Sequence, residues 1–170
     1  MKNFIILLLL CGTSASFAQN DAVSKFFKSY ADDTRFSSVN ISPKMFQLVS
    51  RIKINDMDAD LQAMLKNLTG LHILSTKVTP KIFYKEALGK INTKEYEELM
   101  KVRDNGEDVL FLTKATTGSD KIEELLMLVG GEDEFSLISF IGDIDLNKIG
   151  RLGKSFNFQG SEHLEKIKKN

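Results

Sequence analysis

Cysteine occurs once in this chain, at Cys11; tryptophan is missing, and proline and histidine occur twice each. Each shortage closes off a class of explanation. A lone cysteine forms no internal disulfide, and paired-thiol redox chemistry or a Cys-rich metal site needs at least two. With only Pro43 and Pro80, and with no internal repeat or low-complexity stretch, nothing marks a linker between domains. Charge of one sign is lacking too: 23 Lys and Arg balance 23 Asp and Glu, so no electrostatic bias toward nucleic acid follows.

What is present begins at the N-terminus. Lys2, the apolar run 4–10, and the small residues Ser16 and Ala18 just before Gln19 have the layout of an export signal over residues 1–18. Cleavage is expected between Ala18 and Gln19, delivering the protein to the periplasm or envelope. The apolar run gives out at Gly12-Thr13-Ser14, short of the roughly 20 residues a spanning helix needs, so no transmembrane helix is expected in the mature chain. Cys11 leaves lipid attachment as an alternative, although Leu10 stands where that processing favours a small residue. Losing Lys2 leaves 22 basic against 23 acidic residues. The remaining chain, about 150 residues long, is enough for one domain that buries roughly 70% of its unfolded surface. A hydrophobic content of 42% with 12 Phe argues against disorder.

Hydrophobic spacing predicts the elements. Val23, Phe26, Phe27 and Tyr30 recur at helical intervals, and 36–41 alternates as a strand before Ser42-Pro43 opens a helix. Met45, Phe46, Leu48, Val49 and Ile52 form the expected buried stripe of that helix. A second helix over 55–68 carries Leu61, Met64, Leu65 and Leu68 inward and stops at Gly70. Residues 71–78 read as a strand, and Thr79-Pro80 restarts a helix with Ile82, Phe83, Ala87, Leu88 and Ile91. Thr93-Lys94-Glu95-Tyr96 resembles a further cap, with helix expected to Arg103 and a stop at Asp104-Asn105-Gly106. The apolar runs 109–115, 121–129 and 134–141 are joined by short glycine-bearing links, which mean antiparallel hairpins. A last helix is expected from Asp145, with Leu146, Ile149, Leu152 and Phe156 on one face. The fold class is therefore α+β, in a single domain over 19–158. One mixed, largely antiparallel sheet of about five strands ends in a three-strand meander, with helices packed mainly on one face. Residues 159–170 form a C-terminal tail, whose basic stretch 163–169 reads as a solvated helix end.

Several constellations invite chemistry. Asp56, Asp58 and Asp60 alternate like the first ligands of a calcium loop, but Leu61 and Asn67 stand where its glycine and bidentate glutamate belong. Asp143, Asp145 and Asn147 fail the same way at Lys148 and Lys154, so both clusters read as turns and helix starts, and no metal site is expected. Histidine is the usual base of a nucleophilic site; His72 sits within an apolar strand and His163 in the tail, and neither suits that role. Gly130-Gly131 precedes three acids and a strand, which excludes a phosphate loop and suits a hairpin tip. The Glu123-Glu124 pair interrupts an apolar strand and puts one carboxylate on each face. The buried one needs a partner, such as Lys114 or Arg151, or else serves as a ligand-binding carboxylate.

The export signal, Val39-Asn40-Ile41-Ser42-Pro43-Lys44-Met45-Phe46, Tyr96-Glu97-Glu98-Leu99-Met100-Lys101-Val102, Lys121-Ile122-Glu123-Glu124-Leu125 and the run 138–146 together resemble the domain-of-unknown-function family 4252 (DUF4252). The resemblance implies a small exported protein of Gram-negative bacteria. It also implies encoding near extracytoplasmic-function sigma factors and their regulators, and so a link to envelope sensing or stress response. It supplies no catalytic residue to carry over.

The reading that follows is a non-enzymatic envelope module that acts through a protein partner, with no catalytic, cofactor or metal residue. The alternatives are a periplasmic protein for a small apolar or lipid-like ligand and, third, a hydrolase with facing carboxylates. The oligomeric state is open, because an open sheet leaves two edges free to pair. Intact-mass measurement of the exported protein should find a chain beginning at Gln19; a mass corresponding to a lipidated Cys11 would replace that cleavage.

Overall fold

A computed structural model describes residues 22–51, 59–91, 93–115 and 122–145. The leader with Cys11, Ala18 and Gln19, together with Asp56, Asp58, Arg151, His163 and the helix read beyond Asp145, lies outside the described residues.

These residues build four helices and six strands on the α+β plan. Helix α1 (Ala22–Tyr30) buries Val23, Phe26 and Phe27, the face its spacing predicts. Strand β1 (Ser37–Ile41) runs through Ser42 into α2 (Pro43–Arg51), and α3 (Ala59–Asn67) leads directly into β2 (Leu68–Thr76). Gly70 therefore lies inside a strand instead of ending a helix. Helix α4 (Pro80–Lys90) and a short 3-10 turn (Thr93–Glu95) then carry the chain across to a meander. Its strands are β3 (Glu97–Asp104), β4 (Glu107–Ala115), β5 (Ile122–Gly130) and β6 (Phe135–Ile144).

All six strands share one open antiparallel sheet in the order β1-β2-β6-β5-β4-β3. β6 is inserted between two parts of the chain. It pairs with β5 in a hairpin and with β2, where Leu71 meets Phe140 and Leu74 meets Leu137.

Two details differ from the sequence reading. The first is β3, which replaces the helix expected up to Arg103. Asn105 and Gly106 both have positive φ, 47° and 84°, the geometry of a two-residue hairpin turn and a far better use of Asn-Gly than a helix stop. A register irregularity between Glu98 and Met100 hides the strand, because it leaves Leu99 and Met100 both partly buried and breaks the alternation.

The second difference is that the helices divide between the two faces. Leu125, Met127 and Val129 of β5 join Phe46 of α2 and Met64 and Leu65 of α3 in one core. Leu126 and Leu128 join Val23, Phe26 and Phe27 of α1 and Phe83 and Ala87 of α4 in the other. From Leu125 to Val129 every side chain is 1% exposed or less. An unbroken apolar strand is what a sheet covered on both faces requires, because each successive side chain enters a different core. Each such burial contributes about 1.5–3 kcal/mol relative to exposure.

Gly142 permits a close approach of β6 to the junction of α3 and β2. Its φ is 148°, and a β-carbon there would lie 2.2 Å from the Asn67 carbonyl oxygen and 2.8 Å from the Leu68 α-carbon. Gly89, in α4, has open space around it. In urea unfolding, Gly142→Ala should lose about 2–4 kcal/mol through overpacking and strain, while Gly89→Ala should gain about 0.5–1 kcal/mol through helix propensity.

Candidate functional site

Two regions hold the chemistry worth weighing: a polar cluster within the α1–α4 core and an exposed margin at β1 and α2.

The polar cluster forms because strand alternation carries Glu124 to the same face as Leu126 and Leu128. Glu123 is exposed, while Glu124 is 6% exposed. The Tyr96 hydroxyl donates to Glu124 Oε2 at 2.7 Å and the Ser139 hydroxyl donates to Oε1 at 2.6 Å. Lys114, one of the expected partners, stands opposite Glu124 in the β4–β5 register, but its ammonium donates to Glu95 at 3.3 Å and lies 5.9 Å from the Tyr96 ring centre. The two hydroxyls bond the carboxylate in charge-assisted contacts that offset its desolvation. Sequence reasoning missed Tyr96 and Ser139, since a hydroxyl donor across a sheet leaves no spacing signal.

His72 faces Ser139 across the β2–β6 register. Serine, histidine and glutamate thus meet on neighbouring strands, yet the arrangement does not present a nucleophile. Ser139 has no exposed surface and gives its proton to Glu124, and the His72 ring packs against Phe27 at 4.8 Å. A nucleophilic site needs a reachable hydroxyl whose proton a base removes. The cluster is a brace that ties the entry to β3 to the two central strands.

Asp143 and Asp145 are exposed, and among the described residues no group of three or more His, Cys, Asp or Glu is placed to hold a metal ion. Gly130 ends β5 at the expected hairpin, and in the link Gly131 N–H donates to the Glu134 carbonyl at 3.0 Å. The exposed tip residue Glu132 pairs with Lys81 of α4.

The exposed margin is the larger departure from expectation. Met45 and Leu48, expected inside, are 51% and 48% exposed, and Val39 of β1 is 41% exposed. Among the described residues of the stripe Phe46 alone is buried, with Val49 packed against the core at its edge. The cause is position: α2 lies over β2 near the margin of the sheet, while α3 takes the inner lane over β6. The sheet runs out before it covers the whole apolar side of α2.

Side-chain contacts fix the segment leading into β1. Arg35 bonds Asp33 through a paired contact and lies 5.3 Å from the Phe83 ring centre, and its carbonyl accepts from Thr76 Oγ1 at 2.7 Å. The guanidinium beside Asp33 holds that carboxyl at about 2, below its ordinary value. Ser38 Oγ donates to the Ala31 carbonyl at 2.8 Å.

A shallow cleft of about 300 Å³ lies elsewhere, between α1 and the end of α4, lined by Ala22, Lys25, Phe26, Ser29 and Lys90. Lys90 pairs with Glu86 at 2.5 Å, and Tyr30 donates to the same carboxylate. The hydrogen bond from Lys90, then that from Tyr30, holds Glu86 below its ordinary pKa, while the bond to Glu86 and burial raise Tyr30.

If Glu124 depends on its hydroxyl donors, Tyr96→Phe should lower stability by about 1.5–3 kcal/mol, whereas Glu123→Gln, at an exposed site, should stay within about 0.5 kcal/mol. Guanidinium unfolding of both variants measures the difference, and equal effects would remove the brace.

No curated protein and no solved structure matches the chain. No helix among the described residues is long and apolar enough to cross a membrane. A family match covers residues 30–152, described as Domain of unknown function (DUF4252), and so takes in all six strands, the polar cluster and the exposed margin. The described parts of the segments that carried the resemblance lie in or next to β1 and α2, β3, β5 and β6, and the chain belongs to the DUF4252 family.

Proposed function

We propose that this chain is an exported, envelope-associated module that works by protein contact, in the service of envelope sensing or stress response. The observation that carries the reading is the exposed apolar margin formed by Val39, Met45 and Leu48 beside an open sheet edge. A helix that turns part of its apolar stripe to solvent gains by covering it, and an exposed apolar patch rimmed by polar residues is how contact sites commonly look. Lys44, Gln47 and Arg51, all exposed, supply such a rim on the same helix. Export rests on the leader-like residues 1–18, and the link to stress response on the family resemblance. The buried, hydroxyl-held Glu124 supports a structural use for the one polar cluster that resembles a catalytic set.

The α1–α4 cleft favours a second reading, a small amphipathic anion with its charge near Lys25 and Lys90 and its apolar part against Phe26. Native mass spectrometry of protein taken from its own host separates this reading from the first, since bound ligand would add mass.

Crosslinking in cells, followed by pull-down of the tagged protein from the envelope fraction, tests the contact reading. The wild-type chain should enrich a reproducible partner over an unrelated exported control, and Met45→Lys with Leu48→Lys should cut that enrichment at least fivefold. Undiminished capture by the double variant would overturn the assignment to this margin.

A further inference from the structure

We propose that the occupant of the exposed margin is a second copy of this chain, joined edge to edge by antiparallel pairing of β1 with β1 of the copy about a two-fold axis at Val39; this rests on the protein-contact reading above.

The two edges of the sheet are built differently. β3 carries Glu97, Glu98, Lys101, Arg103 and Asp104, the charged dressing that discourages a foreign strand. β1 reads Ser-Ser-Val-Asn-Ile, with no charge, and Ser37 to Asn40 are all exposed. Two copies can therefore approach along β1 without bringing like charges together. A register centred on Val39 sets Ser38 opposite Asn40 next to the apolar centre, and each Ile41 opposite the small Ser37 of the other copy.

Symmetry brings the exposed apolar residues together. Residues opposite each other in an antiparallel pair point to the same face; Val39 faces Ile73, which packs with the α2–α3 core. Antiparallel strands related by a two-fold axis normal to the sheet keep that face on the same side in both copies. Both α2 helices then flank the seam on one side, and Val39, Met45 and Leu48 from each copy share a single patch. This self-complementarity is what a two-fold interface requires. Pairing of five-residue strands alone buries less than the roughly 1,200 Å² of a stable interface, and the helix flanks extend it. Val78, in the β2–α4 connection, and Ile82, in the first turn of α4, are the other exposed large apolar residues among those described, and both lie beyond the end of β2.

The test exploits the single cysteine. The chain is expressed with its own leader in a Cys11→Ser background, which leaves no other thiol. Val39→Cys then places two thiols opposite each other on the axis, at the roughly 4.5–5.5 Å α-carbon spacing of paired strands, within disulfide reach. Mild oxidation should crosslink Val39→Cys into a dimer, and Lys101→Cys on the β3 edge should stay monomeric. In sedimentation experiments the wild type should be dimeric, and Val39→Lys, shown to be folded by circular dichroism, should self-associate at least tenfold more weakly. A wild type that stays monomeric across the concentration range, or a dimer that crosslinks through Lys101→Cys and not Val39→Cys, would overturn the proposal. If the wild type is monomeric and the α2 double variant still loses its captured partner, the contact reading stands and the second copy falls.

Discussion

Everything in this sheet depends on β6 finding the gap between β2 and β5. Without it the chain holds two separate sheets, the β1–β2 pair and the β3–β5 meander, each exposing long apolar strand edges. With it, the side chains of Phe135, Leu137, Ile138, Ser139 and Phe140 all fall to 1% exposure or below. The strand serves both cores at once, sending Ile138 and Phe140 to the α2–α3 side and Phe135 and Leu137 to the α1–α4 side. Gly142 makes this insertion sterically feasible where β6 passes the junction of α3 and β2.

The two margins of the sheet are treated in opposite ways. At the β3 margin, Tyr96 reaches inward to Glu124, Lys114 lies over its ring and bonds Glu95, and charges line the strand. That edge is tied to the middle of the sheet and guarded against pairing. At the β1 margin, Arg35 and Ser38 fix the strand in place while its outer side stays bare and uncharged. Ordering an edge without covering it lowers the entropic cost of docking, since the strand arrives already extended.

Much of this could be read from the chain, and the misses have physical causes. Pro43 and Pro80 marked helix starts correctly because proline suits only a few positions. The meander was legible from Gly130-Gly131 and the apolar runs around it. The same runs also held information that went unused: Leu125 to Val129 show no alternation, and that is the signature of burial on both faces. β3 was hidden by its bulge at Leu99, and Asn105-Gly106 suits a hairpin turn better than the helix stop read there. Met45 and Leu48 have the spacing of buried residues; whether a helix face is covered depends on where the sheet ends, a tertiary fact with no local sign. The family resemblance held, and Glu124, singled out as a carboxylate needing a partner, accepts from the hydroxyls of Tyr96 and Ser139, while Arg151 lies outside the described residues.

The order of the strands also sets the order in which the chain can organise itself. β2 ends at Thr76, and the strand that must lie beside it does not begin until Phe135, after a helix and three other strands. The hairpins β3–β4, β4–β5 and β5–β6 close over short links, so the meander can assemble by itself, whereas joining it to β2 means closing a loop of nearly sixty residues, at an entropic cost that local contacts do not offset. Until that closure, β2 has an unoccupied inner edge carrying Leu71 and Leu74. The last step of folding is therefore also the moment when the chain is most open to capture by another strand.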